Sequence, residues 1–296
     1  MGTVVELMVT GGTDADGTAA DAAAVSTIRE LEAVFSVYDE DSELCRWRAG
    51  TLTDVSPSLA DLLGQARSWQ ERSHGRFNPL VGELTELWRR AEVEGVEPSR
   101  SVLAAAAAAI GEPRFTVVDG RPVLHGDGRH FTLNAIAKGY IVDRALAAAV
   151  AAAPVTAVCV NAGGDLAHRG HGPVRVGIEN PHRPYDNEPP LVTVGLENAA
   201  LATSGRARRG FRVGGRWFGH VIDPRSGRPV DTVASITVSA PDAVTADVVA
   251  TAAGVAAAPE AVRLLEEIPG VEGLVVPADG GPLPTSGWAH LVVSGS

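Results

Sequence analysis

The chain has 296 residues, of which 45% are hydrophobic and 21% charged, so it is long enough to bury a sizeable core. This composition excludes a mostly disordered chain, a collagen-like chain and a small disulfide scaffold. With 36 acidic and 25 basic residues the net charge is −11, which repels phosphate backbones, and we expect no nucleic-acid partner.

The first third of the chain shows mainly helical patterns. An alternating strand over 3–9 comes first, and the spacing of apolar residues then predicts helices over 19–34, 59–69, 81–92 and 101–110. The last of these is rich in alanine, for which the helix is the most favourable state. We therefore expect a helical N-terminal part.

Strand patterns dominate the middle of the chain. Asp119-Gly120 is a hairpin signal between strands over 115–118 and 122–124. A strand over 130–133 is expected next, followed by a helix that Asn134 caps and that runs to residue 152. Strands are also predicted over 155–160, 174–178, 191–194, 199–202, 211–213, 216–222 and 235–239.

The end of the chain combines two helices with two strands. Asp242 is predicted to cap a helix over 243–255, and Pro259 to open another that ends near residue 266, while strands are expected over 273–276 and 290–293. The order of elements does not alternate strictly, so it predicts an α+β fold, with mixed sheets and flanking helices. We expect one large domain over 1–296, with room for a subdomain boundary near residue 112.

The longest apolar stretch, over 145–160, is mostly alanine and is interrupted by Pro154. It falls short of the roughly 20 residues that cross a bilayer, and no basic and apolar leader precedes the first strand. We therefore expect a cytoplasmic protein with no membrane insertion, although a shortened chain would give the same pattern.

Asp247 and Thr251 are four residues apart on a predicted helix, so their oxygen atoms share one side of it. A carboxylate and a hydroxyl are hard ligands that suit Mg²⁺ bound together with a phosphate. The alternative is an exposed acid beside a threonine that bonds back to its own helix.

Lys138 is the only lysine among the 25 basic residues, and it lies where a predicted strand passes into a helix. Helix N-termini attract phosphate, to which the ammonium would add a point charge, but an ordinary junction with an exposed lysine is also possible. Similarly, the glycines before Asp165 allow close approach of a ligand, and a simple turn is the alternative.

His220 is the strongest candidate for proton transfer, because it lies near the end of the strand predicted over 216–222, beside Asp223. The alternative to a catalytic role is a hairpin with capped ends. The same alternative holds for Thr203 and Ser204, which lie at another strand end. Tyr38 could stack on an aromatic ligand or pack in the core or a turn.

These short motifs occur in a fixed order over about 250 residues, and in that order the chain resembles the ApbE family, the FAD:protein FMN transferases. The motifs that carry the resemblance are Met1-Gly-Thr, Ser36-x-Tyr38 with Ser42-Glu-Leu44, Gly75-x-Phe77-Asn78-Pro79, Ala135-Ile-Ala-Lys-Gly-Tyr with Asp143, Asn161-x-Gly-Gly-Asp165, Thr203-Ser-Gly205, His220-x-Ile-Asp-Pro-x-x-Gly227 and Ala246-Asp-x-x-Ala-Thr251.

The resemblance implies that FAD is the donor and that Mg²⁺ is held on its pyrophosphate. FMN would move to a Thr or Ser hydroxyl of a partner flavoprotein, with release of AMP. Because some members hydrolyse FAD to FMN and AMP, an FAD pyrophosphatase is one alternative, and a non-catalytic flavin-binding protein is another. The chain has no Ser/Thr-Gly-Ala-Ser/Thr acceptor sequence of its own, so the acceptor is expected to be a separate protein.

The resemblance also assigns residues. Asp247, Thr251 and the backbone carbonyl of Ala135 match metal ligands, and His220 matches a residue implicated in catalysis. The cofactor-binding set comprises Met1, Tyr38, Arg76, Phe77, Asn78, Thr132, Lys138, Asp165, Thr203, Ser204 and Ile222. The chain departs from the family at Thr132 and Asn78, where aspartate is usual, so two carboxylates near the FAD are replaced by neutral side chains.

Overall fold

The computed structural model describes residues 3–185, 187–205 and 210–293. Within these residues the chain forms eight α-helices and one short 3-10 helix. The helices are α1 (Asp14–Phe35), α2 (Glu43–Arg48), α3 (Pro57–Arg72), α4 (Gly82–Glu94), α5 (Arg100–Gly111), α6 (Ala137–Ala152), α7 (Ala243–Ala253) and α8 (Ala258–Glu266), and the 3-10 helix is Trp288–His290.

Fifteen strands are found in the same described part of the chain. They are β1 (Val5–Thr10), β2 (Phe115–Val118), β3 (Arg121–Leu124), β4 (Ala157–Ala162), β5 (Asp165–Gly170), β6 (Val174–Ile178), β7 (Val192–Leu196), β8 (Ala200–Gly205), β9 (Gly210–Val213), β10 (Arg216–Gly219), β11 (Ile222–Asp223), β12 (Arg228–Pro229), β13 (Val233–Ala240), β14 (Glu272–Pro277) and β15 (Leu283–Pro284). The predicted α+β class is confirmed.

Two predicted strands are wrong. Residues 130–133 are irregular, because Thr132 N donates to Pro79 O within a loop while Phe131 and Leu133 are buried in the core. Their alternation therefore reflects core packing rather than a strand. The second wrong prediction is the strand over 290–293. Residues 288–290 form the 3-10 helix, and among the described residues after it Val292 makes only an isolated bridge to Val194.

The expected cap of α6 is also wrong. Asn134 lies in a turn over 134–136, and the helix begins only at Ala137. The structure adds β5, which the sequence patterns did not predict, since its sequence DLAHRG mixes charged and apolar residues without alternation. The cap of α7 is confirmed, because Thr245 N donates to Asp242 Oδ1 over 2.7 Å.

The chain divides into two compact units. Within the described residues, the first contains 3–30, 137–205 and 232–293, and the second contains 31–136 and 210–231. The first unit is built on a seven-stranded antiparallel sheet in the order β1-β4-β5-β8-β13-β14-β15.

The two faces of this sheet pack differently. Helices α6, α7 and α8 pack on β4, β5, β8, β13 and β14, and small residues such as Ala167, Ala200 and Ala202 share one face because side chains alternate along a strand. The opposite face, which carries Leu166 and Leu201, packs with Trp288 and the β6–β7 hairpin in an apolar cluster. Asp165 is two residues before Ala167 and therefore lies on the helix side.

The second unit contains helices α2 to α5 and three short hairpins. Trp47, Phe115 and Phe131 contact one another edge to face, with ring centroids 5.3 to 5.8 Å apart. In a separate contact, Trp88 on α4 donates from Nε1 to Gly227 O over 2.8 Å, which anchors the turn between β11 and β12.

No helix in the ranges that the structure describes is long and apolar enough to span a bilayer.

His168 on β5 is a buried histidine for which we predict a measurable pH effect on stability. It is 4% exposed, and its Nδ1 accepts a hydrogen bond from Asn198 N. Burial lowers the pKa of His168, so below about pH 6.5 the unfolded chain takes up a proton that the folded chain resists. The free energy of unfolding should therefore decrease as pH falls, by at most about 1.4 kcal/mol per pH unit for one proton.

Urea denaturation of wild type and His168→Gln at pH 7.5 and 5.5 checks this effect. We expect a smaller decrease in the variant, whereas His171→Gln, at an exposed histidine, should keep the wild-type decrease. Equal pH dependence in wild type and His168→Gln would contradict the assignment.

Candidate functional site

An ion pair between a half-buried lysine and a buried aspartate lies at the start of α6. Lys138 Nζ is 2.5 Å from Oδ2 of Asp165, which is the first residue of β5 and is 2% exposed. Gly163 and Gly164 form the turn before it with φ of 63° and 98°, which glycine adopts without strain. Burial raises the pKa of Asp165, and the nearby ammonium opposes that rise.

A second buried carboxylate, Asp247 on α7, belongs to the same cluster. Its Oδ2 accepts a hydrogen bond from Gly139 N over 3.4 Å, next to Lys138 in the chain. Burial raises the pKa of Asp247, the charge of Asp165 raises it further, and Lys138 lowers it. The two buried carboxylates thus share one half-buried ammonium, and a divalent cation would offset the remaining negative charge.

The remaining predicted metal ligands are Thr251 and Ala135. Thr251 is partly buried and lies one helical turn after Asp247, on the same side of α7. Ala135 lies in the turn over 134–136, in the second unit. No group of three or more His, Cys, Asp or Glu residues that could hold a metal is present in the described ranges. A set with one carboxylate suits Mg²⁺, which keeps waters and also binds substrate phosphates.

Helices α6 and α7 are held together beside this cluster. Asp143 on α6 accepts hydrogen bonds from Ala243 N over 2.8 Å and from Val244 N over 3.0 Å. Burial raises the pKa of Asp143 to about 6, although the two N–H donors oppose the rise. The sequence motifs contained Asp143 but gave it no role, because its partners are about a hundred residues away.

Thr203 and Ser204 lie near the C-terminal end of β8, on opposite faces of the sheet. The Thr203 hydroxyl lies 2.9 Å from that of Thr237 on the neighbouring strand, and both hydroxyls are on the face opposite to α7. Ser204 alternates with it and shares the helix side with Ala202. Of the two predicted residues, only Ser204 lies on the side of the Asp165 carboxylate.

In the second unit His220 is exposed, in the bend between β10 and β11. Ile222 is buried and pairs with Pro229 across the β11–β12 hairpin. The carboxylate of Asp223 accepts hydrogen bonds from Arg225 Nε over 2.9 Å and Nη2 over 3.1 Å. Asp223, the acid expected beside His220, therefore forms hydrogen bonds with an arginine of its own turn.

The turn over 76–78 is held by its own side chains. Asn78 Nδ2 donates to Ile110 O over 2.9 Å, and Asn78 Oδ1 accepts from Leu80 N over 2.8 Å. Phe77 is buried and Arg76 is partly buried. The amide of Asn78 thus stabilises the turn, and the next residue, Pro79, accepts the hydrogen bond from Thr132 N.

Tyr38 is 91% exposed, so its ring is accessible to a ligand rather than packed in the core. Met1 lies outside the described residues. Three predicted residues, Lys138, Asp165 and Asp247, are brought together in the first unit.

Comparisons with known proteins identify relatives over most of the chain. The sequence profile of the ApbE family matches residues 1–275. A Treponema pallidum protein named FAD:protein FMN transferase is 32% identical over 272 residues, which cover 84% of this chain and 74% of the relative. A protein of the same name from Rhodobacter capsulatus is 34% identical over 245 residues, which cover 79% of this chain and 45% of that relative.

Solved structures extend the likeness to the fold. A crystal structure of an ApbE protein from Thermotoga maritima has a TM-score of 0.85 and 28% identity, and the match covers 99% of this chain and 97% of that one. The apo form of the Pseudomonas stutzeri flavinyl transferase ApbE has a TM-score of 0.77 at 24% identity, which supports the fold alone. Together with the profile match, these likenesses show that the chain belongs to the ApbE family.

Proposed function

We propose that this protein transfers the FMN part of FAD to a Thr or Ser hydroxyl of a partner flavoprotein, with release of AMP and dependence on Mg²⁺. The FAD:protein FMN transferase names of the relatives support the reaction. The single observation that carries it in this chain is the cluster of the half-buried Lys138 with the buried carboxylates of Asp165 and Asp247 at the start of α6.

In the proposed reaction, the acceptor hydroxyl oxygen forms a bond to the phosphorus of the FMN moiety. The bond from that phosphorus to the bridging pyrophosphate oxygen breaks, and the electron pair leaves with AMP. His220 takes the proton of the attacking hydroxyl. Its imidazole suits this role because it is exposed, in the bend after β10, where an acceptor can reach it. Lys138 and the first turn of α6 provide positive charge for phosphate oxygens.

Asp247, Thr251 and the carbonyl of Ala135 are the proposed ligands of Mg²⁺. When bound, Mg²⁺ offsets negative charge on the phosphates during the transfer. Asp165 holds the Lys138 ammonium beside the Asp247 carboxylate, so that the positive charge stays at the phosphate end of the donor.

The remaining proposed contacts are with FAD. The exposed ring of Tyr38 is suited to stacking on the isoalloxazine, since stacked aromatic rings attract one another. Ser204 is better placed than Thr203 for a polar contact, because it lies on the helix side of the sheet. The other proposed contacts come from Met1, Arg76, Phe77, Asn78, Thr132 and Ile222.

Purified protein incubated with FAD and Mg²⁺ tests the proposal. One sample contains a peptide with a Thr-Gly-Ala-Thr sequence, a second contains the same peptide with alanine in place of both threonines, and a third has no peptide. We expect AMP, read by chromatography, and a peptide mass gain equal to FMN without a water only in the first sample, and neither after chelation. AMP in all three samples would indicate FAD hydrolysis, and bound FAD with no AMP would indicate a flavin carrier.

A further inference from the structure

Backbone amides at the N-terminus of α7 donate hydrogen bonds to two carboxylates, one in the helix's own cap and one on another helix. The first amides of a helix have no partner within the helix. Asp242 satisfies Thr245 N, as a local cap does, whereas Asp143 on α6 accepts from Ala243 N and Val244 N. The second contact does more than cap the helix, because it joins α7 to α6 at a defined position.

Gly139 allows the backbones of α6 and α7 to approach closely at that position. A Cβ atom on Gly139 would lie 2.3 Å from Ala243 O and 2.8 Å from Val244 Cα, so only glycine allows the two backbones to approach here. Gly139 is one turn before Asp143, and the two residues face the same end of α7. A slide of α7 along α6 would break the Asp143 hydrogen bonds or cause a collision at Gly139.

The site lies one turn away from this joint. Asp247 follows Ala243 by four residues, and its carboxylate accepts from Gly139 N at the first turn of α6. The register that Asp143 sets between the helices is therefore the register that brings Asp247 to Gly139 and to the Lys138–Asp165 ion pair.

We propose that Asp143 is a positioning residue for the metal site: its two hydrogen bonds to α7 hold the Asp247 carboxylate and the Thr251 hydroxyl where they bind the cation. The inference rests on the proposed function, since it takes Asp247 and Thr251 as metal ligands. A residue that fixes the position of the helix bearing the metal ligands changes metal affinity without contacting the metal.

Mn²⁺ binding by wild type, Asp143→Ala, Asp143→Asn and Asp242→Ala tests the role, with unbound Mn²⁺ read by electron paramagnetic resonance. Asp242→Ala is the matched control, because it removes a carboxylate from the same helix end without releasing α7 from α6. We expect Asp143→Ala to raise the Kd for Mn²⁺ about tenfold and Asp242→Ala to change it less than twofold. Asp143→Asn should lie between them, since its one amide oxygen has to serve two N–H donors.

Hydrogen exchange over 243–251 is the second readout. It should become faster in Asp143→Ala even in chelator, where no metal contributes. Wild-type Mn²⁺ affinity in Asp143→Ala would overturn the inference, and so would an equal loss of affinity in Asp242→Ala. If Asp143→Ala does not fold, the isosteric Asp143→Asn decides by the same comparison.

The proposed function is judged separately by FMN transfer in wild type. A wild type that binds Mn²⁺ but transfers no FMN contradicts the proposed function alone, and the ratio of Mn²⁺ affinities still decides the role of Asp143. A wild type that binds no Mn²⁺ overturns the positioning role together with the metal ligands.

Discussion

Asp247→Asn should lower the rate of FMN transfer by about 10³-fold, which corresponds to about 4 kcal/mol of barrier. The amide keeps the size of the side chain but removes the negative charge that the cation needs. Because the Asp247 carboxylate is buried beside that of Asp165, the same change should raise the melting temperature measured in chelator. Loss of activity together with a gain in metal-free stability cannot be explained by misfolding.

Calorimetric titration with Mg²⁺ and thermal melts with and without chelator provide the measurements. Asp21→Asn, at an exposed acid on α1, is the control for a change of one unit of net charge and should leave both readouts unchanged. An Asp247→Asn protein that transfers FMN at the wild-type rate would refute the metal assignment.

The second large effect is expected at His220. His220→Ala should reduce turnover by about 10² to 10⁴-fold, the range for loss of a residue that accepts a proton in the transition state. Since His220 is exposed in a bend, its removal should leave the melting temperature within about 1 °C of wild type, in line with the small effect of most surface substitutions.

FAD affinity, measured by quenching of flavin fluorescence, separates binding from turnover in this variant. We expect it to be unchanged, and added imidazole should restore part of the activity of His220→Ala but not that of Asp247→Asn. His182→Ala, at another exposed histidine, is the matched control. Unchanged turnover in His220→Ala would show that the proton goes elsewhere.

Local signals in the sequence predicted well where the chain's own neighbours decide the structure. The cap at Asp242 and the helix after it follow from a side chain that bonds an amide three residues later. Lys138 was notable as the only lysine, and the i, i+4 spacing of Asp247 and Thr251 placed them on one side of a helix. None of these signals depends on the rest of the fold.

The predictions failed where residues distant in the chain decide the structure. Phe131 and Leu133 alternate with polar residues like a strand, but tertiary packing buries them in an irregular loop. The sequence of β5, in which charged and apolar residues do not alternate, becomes a strand because β4 and β8 pair with it on either side. Asp143 acquires its partners only when α6 meets α7, so no local pattern could assign its role.

The single lysine has a practical consequence for chemistry on this protein. An amine-reactive acylating reagent has one side-chain target in the whole chain, and that target is the ammonium paired with Asp165. Apart from the chain's α-amino group, the extent of labelling therefore reports on one atom of the candidate site. A mass spectrum of the intact protein would follow ligand protection there directly, without an engineered probe.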